Sequence, residues 1–135
     1  MLVDTNVVLD VLLEREPFVG AALGIFCLVE ESRIDAFLCA TTITTIDYLL
    51  IQSLPVSEAR NALRKLISLF EIATVNRSVI ERALGSKIHD FEDAVLDEAG
   101  QMAGVDSVVT RNTKDFTGSA QKVFEPNEFL AQFNS

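Results

Sequence analysis

Carboxylates recur along this 135-residue chain at the places where short apolar runs end. Asp4 closes the run Met1–Val3. Asp47 lies in the helix expected after the run Asp35–Cys39, and Asp115 stands just beyond Ser107–Thr110. The segment Asp90-Phe91-Glu92-Asp93 opens the helix that leads into that last run. If these segments share one edge of a sheet, Asp4, Asp47, Asp93 and Asp115 converge. Carboxylates packed together without counter-charge repel, and their pKa values rise. A hard divalent cation removes that penalty, and Mg²⁺ or Mn²⁺ selects carboxylate and water oxygens. Mg²⁺ usually keeps several waters that a substrate phosphate can displace, so the chemistry this suggests is metal-assisted work on a phosphate. It needs no histidine base, which suits a chain whose single histidine is His89.

Each residue also has an ordinary reading. Asp4 can cap the first helix, and Asp47 can close a Thr-x-x-Asp capping pattern with Thr44. Asp90 and Asp93 suit the positive end of a helix dipole. Asp115 can be a turn residue. Asp10, Asp97 and Glu98 read as surface or solvated helix positions, and His89 as a loop or cap residue. The joint placement at strand ends is what distinguishes the set. Arg111 and Lys114 flank Asp115 and are candidates for touching substrate phosphates. Arg60, Arg64 and Lys65 form a basic strip on one helix, which reads best as solvent-facing.

Other chemistries fit poorly. Cys27 and Cys39 have no metal-ligand spacing and read as buried free thiols in a reducing cytoplasm. One histidine leaves no Cys/His zinc site, and no Gly-x-Ser-x-Gly elbow is present. A receiver-type phospho-switch needs an Asp ending the third strand, where the sequence has Ile72-Ala73-Thr74-Val75. A haloacid-dehalogenase-type phosphatase needs Asp-x-Asp after the first strand, and position 6 is Asn. The opening residues have neither a basic leader nor a long apolar run, so no signal peptide is expected. The densest apolar stretch, Ala21–Val29, falls far short of the roughly 20 residues that span a bilayer. The net charge of −9 argues against a broad basic groove for nucleic acid. It suits a partner that inserts an Arg or Lys into an acidic pocket.

The elements that must position these residues follow from pattern. Length and a 49% apolar content suit a single domain over 1–135. Strands are expected at Met1–Val3, Asp35–Cys39, Phe70–Val75 and Ser107–Thr110, with a short fifth at Val123-Phe124. Helices are expected from Asp4-Thr5-Asn6 onward, over Phe18–Glu31, after a cap within Thr41–Thr45, after Ser57, over Asn76–Leu84, over Asp90–Ala103 and over Pro126–Phe133. Gly104 is the expected residue past a helix end. Leu49, Leu50, Leu54, Leu63 and Leu66 suit either core or a dimer surface. Strands alternating with helices imply an α/β fold around a mostly parallel sheet. Ligands of such sheets sit beyond the carboxyl ends of the strands.

Val3-Asp4-Thr5-Asn6-Val7-Val8-Leu9-Asp10 resembles the start of a PIN-domain protein. So do Asp90-Phe91-Glu92-Asp93-Ala94 and Val108-Val109-Thr110-Arg111-Asn112-Thr113-Lys114-Asp115-Phe116, in matching order and spacing. The resemblance implies a Rossmann-like three-layer α/β/α sandwich and a Mg²⁺- or Mn²⁺-dependent ribonuclease. Bacterial members of this size are often VapC-type toxins, neutralised by a cognate antitoxin and commonly homodimeric. By motif, Asp4, Asp93 and Asp115 would carry the metal, with Asp90 an acidic neighbour. Asn6, Thr110 and Asn112 would orient the carboxylates or the phosphate. The family usually places Glu where this chain has Asp47, one methylene shorter. A second reading is a weakened PIN-like domain that acts as an interaction module.

Overall fold

The computed structural model describes residues 1–134. Five short strands form one parallel sheet: β1 (Leu2–Val3), β2 (Phe37–Cys39), β3 (Glu71–Ala73), β4 (Ser107–Val109) and β5 (Lys122–Phe124). Their spatial order is β3-β2-β1-β4-β5. Seven α-helices connect or follow them: α1 (Thr5–Leu12), α2 (Val19–Glu30), α3 (Ala40–Leu50), α4 (Val56–Leu69), α5 (Arg77–Leu84), α6 (Phe91–Met102) and α7 (Pro126–Phe133). A 3-10 turn covers Thr113–Phe116.

Period-two alternation along the strands divides the core into two layers. Val3, Leu38 and Val109 face α1, α2, α3 and α4, while Leu2, Cys39 and Val108 face α5 and α6. Both faces of the sheet are therefore covered, which is why the strands read as unbroken apolar runs. Leu50 and Leu66 are buried, and Leu49, Leu54 and Leu63 pack against the same cluster. These leucines belong to the core.

The chain passes straight from β2 into α3 at Ala40, so Thr41–Thr45 lie inside that helix and not before it. Pro55, not Ser57, occupies the cap position of α4. Asn76 caps α5 by accepting from the Val79 amide at 3.0 Å. Gly104 has φ +88° just past α6, where an L side chain is disfavoured. Cys39 is buried as expected, but Cys27 is exposed on α2.

Order reverses between β1 and β4, the adjacent pair from which the chain winds outward in both directions. Asp4 donates its amide to Val109 O at 3.0 Å, so the ends of β1 and β4 are held side by side. Such a switch point opens a crevice beyond the strand ends.

Candidate acidic active site

Asp4 stands at that crevice as the N-cap of α1, which bears out its ordinary reading. One carboxylate oxygen accepts from the Thr5 amide at 2.7 Å. The other accepts from Thr110 Oγ1 at 2.8 Å and from Asn6 Nδ2 at 3.2 Å. Asn6 Oδ1 accepts from the Arg111 amide at 3.3 Å, and Thr110 Oγ1 accepts from the Asn112 amide at 3.1 Å. Asn6 and Thr110 thus tie the first helix to the end of β4 around one buried carboxylate. Burial pushes the Asp4 pKa up, and the charges of Glu92 and Asp115 add to this, while the Thr110 and Thr5 hydrogen bonds oppose it.

Asp93 lies in the first turn of α6, whose amide end is capped by Asp90 Oδ1 at 3.0 Å. Its carboxyl is pushed up to about 7, first by burial and then by the charges of Asp4, Asp90, Asp115 and Glu92. Asp4, Asp93, Asp115 and Asp90 are therefore electrostatic neighbours, although they come from three separate parts of the chain. Glu92 belongs with them. It acts on both Asp4 and Asp93, and it accepts from Thr45 Oγ1 of α3 at 3.3 Å. Only its place between Asp90 and Asp93 hinted at this in the sequence.

Asp47 stands differently. The charges that act on Asp93 do not include it, and its Oδ1 lies 3.9 Å from Arg60 Nε of α4. That oxygen is buried and accepts no hydrogen bond. The Arg60 member of the basic strip thus faces an acid, while Arg64 donates to Asn61 Oδ1 at 2.9 Å.

Arg111 also differs from a free phosphate ligand. Its guanidinium grips Asp10 at 2.7 and 3.2 Å and stacks on Phe18 at 3.9 Å. Asp10, expected at the surface, is 1% exposed and takes a third bond from Arg15 at 2.9 Å. Asp97 and Glu98 are likewise buried, against the expectation of solvated positions. Ser119, Gln121 and Gln101 donate to Asp97, and Arg82 pairs with Glu98 at 2.8 Å. Lys114 and Asn112 are exposed beside Asp115 in the chain, and His89 is exposed beside Asp90.

A three-layer parallel α/β domain with hydrogen-bonded and mutually repelling carboxylates at its switch point belongs to the class of acid-site α/β/α folds. The PIN domain family profile matches residues 1–114. The chain belongs to the PIN-domain family. Among solved structures, a toxin–antitoxin complex from Klebsiella pneumoniae is similar at 24% identity and TM-score 0.70, covering 93% of this chain and 96% of that one. FitAcB from Neisseria gonorrhoeae is similar at 21% identity and TM-score 0.68, covering 93% and 96%. VapBC2 from Rickettsia felis, bound to a DNA fragment from its promoter, is similar at 14% identity and TM-score 0.66, covering 92% and 96%. These likenesses establish the fold. No curated protein matches the sequence.

Proposed function

We propose that the protein is a divalent-metal-dependent endoribonuclease that acts as the toxin of a type II toxin–antitoxin pair in the cytoplasm. The carrying observation is the set of carboxylates around Asp93, which add to burial in raising its pKa at the crevice of a PIN fold. Membership of a family whose members are generally nucleases supports the reaction class. The toxin–antitoxin complexes among its structural neighbours support the partner.

The donor set suits Mg²⁺ or Mn²⁺, because it is all oxygen and its members repel until a cation joins them. Among the described residues no three such side chains are drawn into a ready-made metal cage. Asp4, Asp93 and Asp115 would hold the ion, with Asp47 helping and Asp90 and Glu92 adding negative potential. The cation supplies Lewis acidity that eases loss of a proton from water and stabilises phosphoryl charge. Thr110 and Asn6 fix one Asp4 oxygen by donating to it, which leaves the carboxylate orientation set before substrate arrives. Asn112, Arg111 and Lys114 lie on the same loop, where Lys114 offers its charge to substrate and Arg111 holds the loop against α1.

A groove of about 490 Å³ lined by Leu12, Phe26, Leu66 and Leu69, with Glu58 and Lys65 at its rim, supports docking of an antitoxin segment. Exposed Tyr48, Ile51 and Val56 near the α3–α4 turn support self-association as a homodimer.

The test is cleavage of structured and single-stranded RNA with Mg²⁺ or Mn²⁺, repeated in chelator. Asp4→Asn and Asp93→Asn each abolish metal-dependent cleavage, and activity that survives both ends the proposal. The Asp47–Arg60 contact favours one second reading, a catalytically weakened interaction module. Calorimetry separates the two: absence of Mn²⁺ binding at millimolar metal favours the module.

A further inference from the structure

The protein is short of positive charge and has spent most of it internally. Of its 11 basic residues, six arginines are committed to ion pairs, including Arg111 on Asp10 and Arg60 facing Asp47. Among the described residues the side chains of Lys87, His89 and Lys114 have no such partner, and all three are exposed. They line one cavity of about 280 Å³, whose remaining lining is Asp90, Asp115 and Thr117. Both of those acids also act on Asp93. The cavity therefore brings two lysines together at the edge of the acid site.

The backbone builds this juxtaposition. Lys87 and His89 lie between α5 and α6, where Ser86 Oγ accepts from the Ile88 amide at 3.0 Å. Lys114 lies in the 3-10 turn after β4, closed by Thr117 Oγ1 donating to Lys114 O at 2.8 Å. The two segments meet at Gly118, which has φ +99° and where a Cβ would stand 3.1 Å from Lys87 Cβ. Glycine at this position lets the second loop close on the first. Without that approach, Lys87 and Lys114 would not share a cavity.

We propose that Lys87, His89 and Lys114 form a cradle for a backbone phosphate of single-stranded RNA, next to the acid site. The proposal rests on the nuclease reading and gives the strand a direction. It runs from the carboxylates across the α5–α6 loop, away from Arg111, whose guanidinium is neutralised by Asp10. A strand with one phosphate near the acids places a neighbouring phosphate within reach of the lysines.

The test measures binding of a fluorescein-labelled single-stranded RNA by anisotropy in EDTA, across a salt series, with melting temperature as a check on folding. Lys87→Gln and Lys114→Gln each weaken binding by about three- to fivefold at low salt. Each also flattens the dependence of log K on log salt by about 0.7. Arg64→Gln, which removes another cation outside any ion pair, on α4, leaves both unchanged. A folded double variant with wild-type affinity and slope overturns the cradle, as does equal weakening by Arg64→Gln or no binding by the wild type. Lysine-dependent binding by a wild type that cleaves no RNA supports the cradle and ends the nuclease reading. Metal-dependent cleavage with unchanged binding by the double variant does the reverse.

Discussion

Replacing Asp93 by Asn tests the acid cluster with no substrate present. In the fold the Asp93 carboxyl titrates near 7 instead of the usual 3.8, chiefly because of burial and the charge of Asp4. The folded state therefore holds that proton more tightly than the unfolded chain. Stability falls as pH rises from about 4 to about 7, and the loss is complete above that window. Converted in full, the shift is worth about 4 kcal/mol at 1.36 kcal/mol per pKa unit. Asp93 is partly open to water, and screening reduces this to about 1 to 2 kcal/mol. Losing a charge from the first turn of α6 takes back about 0.3 to 1 kcal/mol. Asp93→Asn is thus more stable than wild type by about 1 kcal/mol at pH 8, or roughly 3–5 °C in melting temperature. At pH 4 the two proteins melt together. Circular dichroism melts in EDTA at both pH values measure the difference. Saturating Mn²⁺ reverses the order at pH 8, since an ion at 100 times its Kd adds about 2.7 kcal/mol to whichever form binds it. A variant no more stable than wild type at pH 8, or equally stabilised at pH 4, would refute the reasoning.

Three further outcomes follow from named contacts. Asp10→Ala strands Arg111 and Arg15 and costs about 3 kcal/mol, read as a lower urea midpoint with unchanged slope. Gly118→Ala forces a side chain into φ +99° against Lys87, and costs about 1–2 kcal/mol by the same denaturation. Asp47→Ala lowers kcat/KM for RNA cleavage by less than Asp4→Asn does, because the charge beside Asp47 is Arg60.

Local signals were legible where one short segment decides the outcome. Asp90 and Asn76 cap their helices with their own side chains, and Gly104 takes the positive φ expected past α6. The strands were legible because both faces of a parallel sheet are covered, leaving unbroken apolar runs. The expected convergence of Asp4, Asp47, Asp93 and Asp115 rested on segments sharing one sheet edge. Asp4, Asp93 and Asp115 feel one another's charge, and Asp47 is not among the charges that act on Asp93. Burial of charge was not legible, because it depends on partners distant in sequence. Asp10 is buried between Arg15 and Arg111, and Arg111 reaches it from 101 residues away. Asp97 is satisfied by Ser119 and Gln121 from beyond β4. Glu92 carried no pattern that separated it from any acid in a first turn.

Charge also explains how such a site can coexist with a net charge of −9. Coulomb forces between exposed groups fade within about 8–10 Å at physiological ionic strength. A phosphate therefore responds to the groups beside it and not to the total. Buried acids such as Asp10 and Glu98 are already matched by arginine and project little field. Asp4, Asp90, Glu92 and Asp115, which have no ion-pair partner among the described residues, act on Asp93, and Lys87 and Lys114 line a cavity with two of them. Without a cation this arrangement favours contact with RNA only at the lysine edge, so affinity is weak and strongly salt-dependent. A bound cation would turn the repulsion that adds to burial in raising the Asp93 pKa into binding energy for the ion, and the acid edge would then attract phosphate as well. On the proposed reading the destabilising cluster and the substrate site would be one feature, switched in sign by the metal.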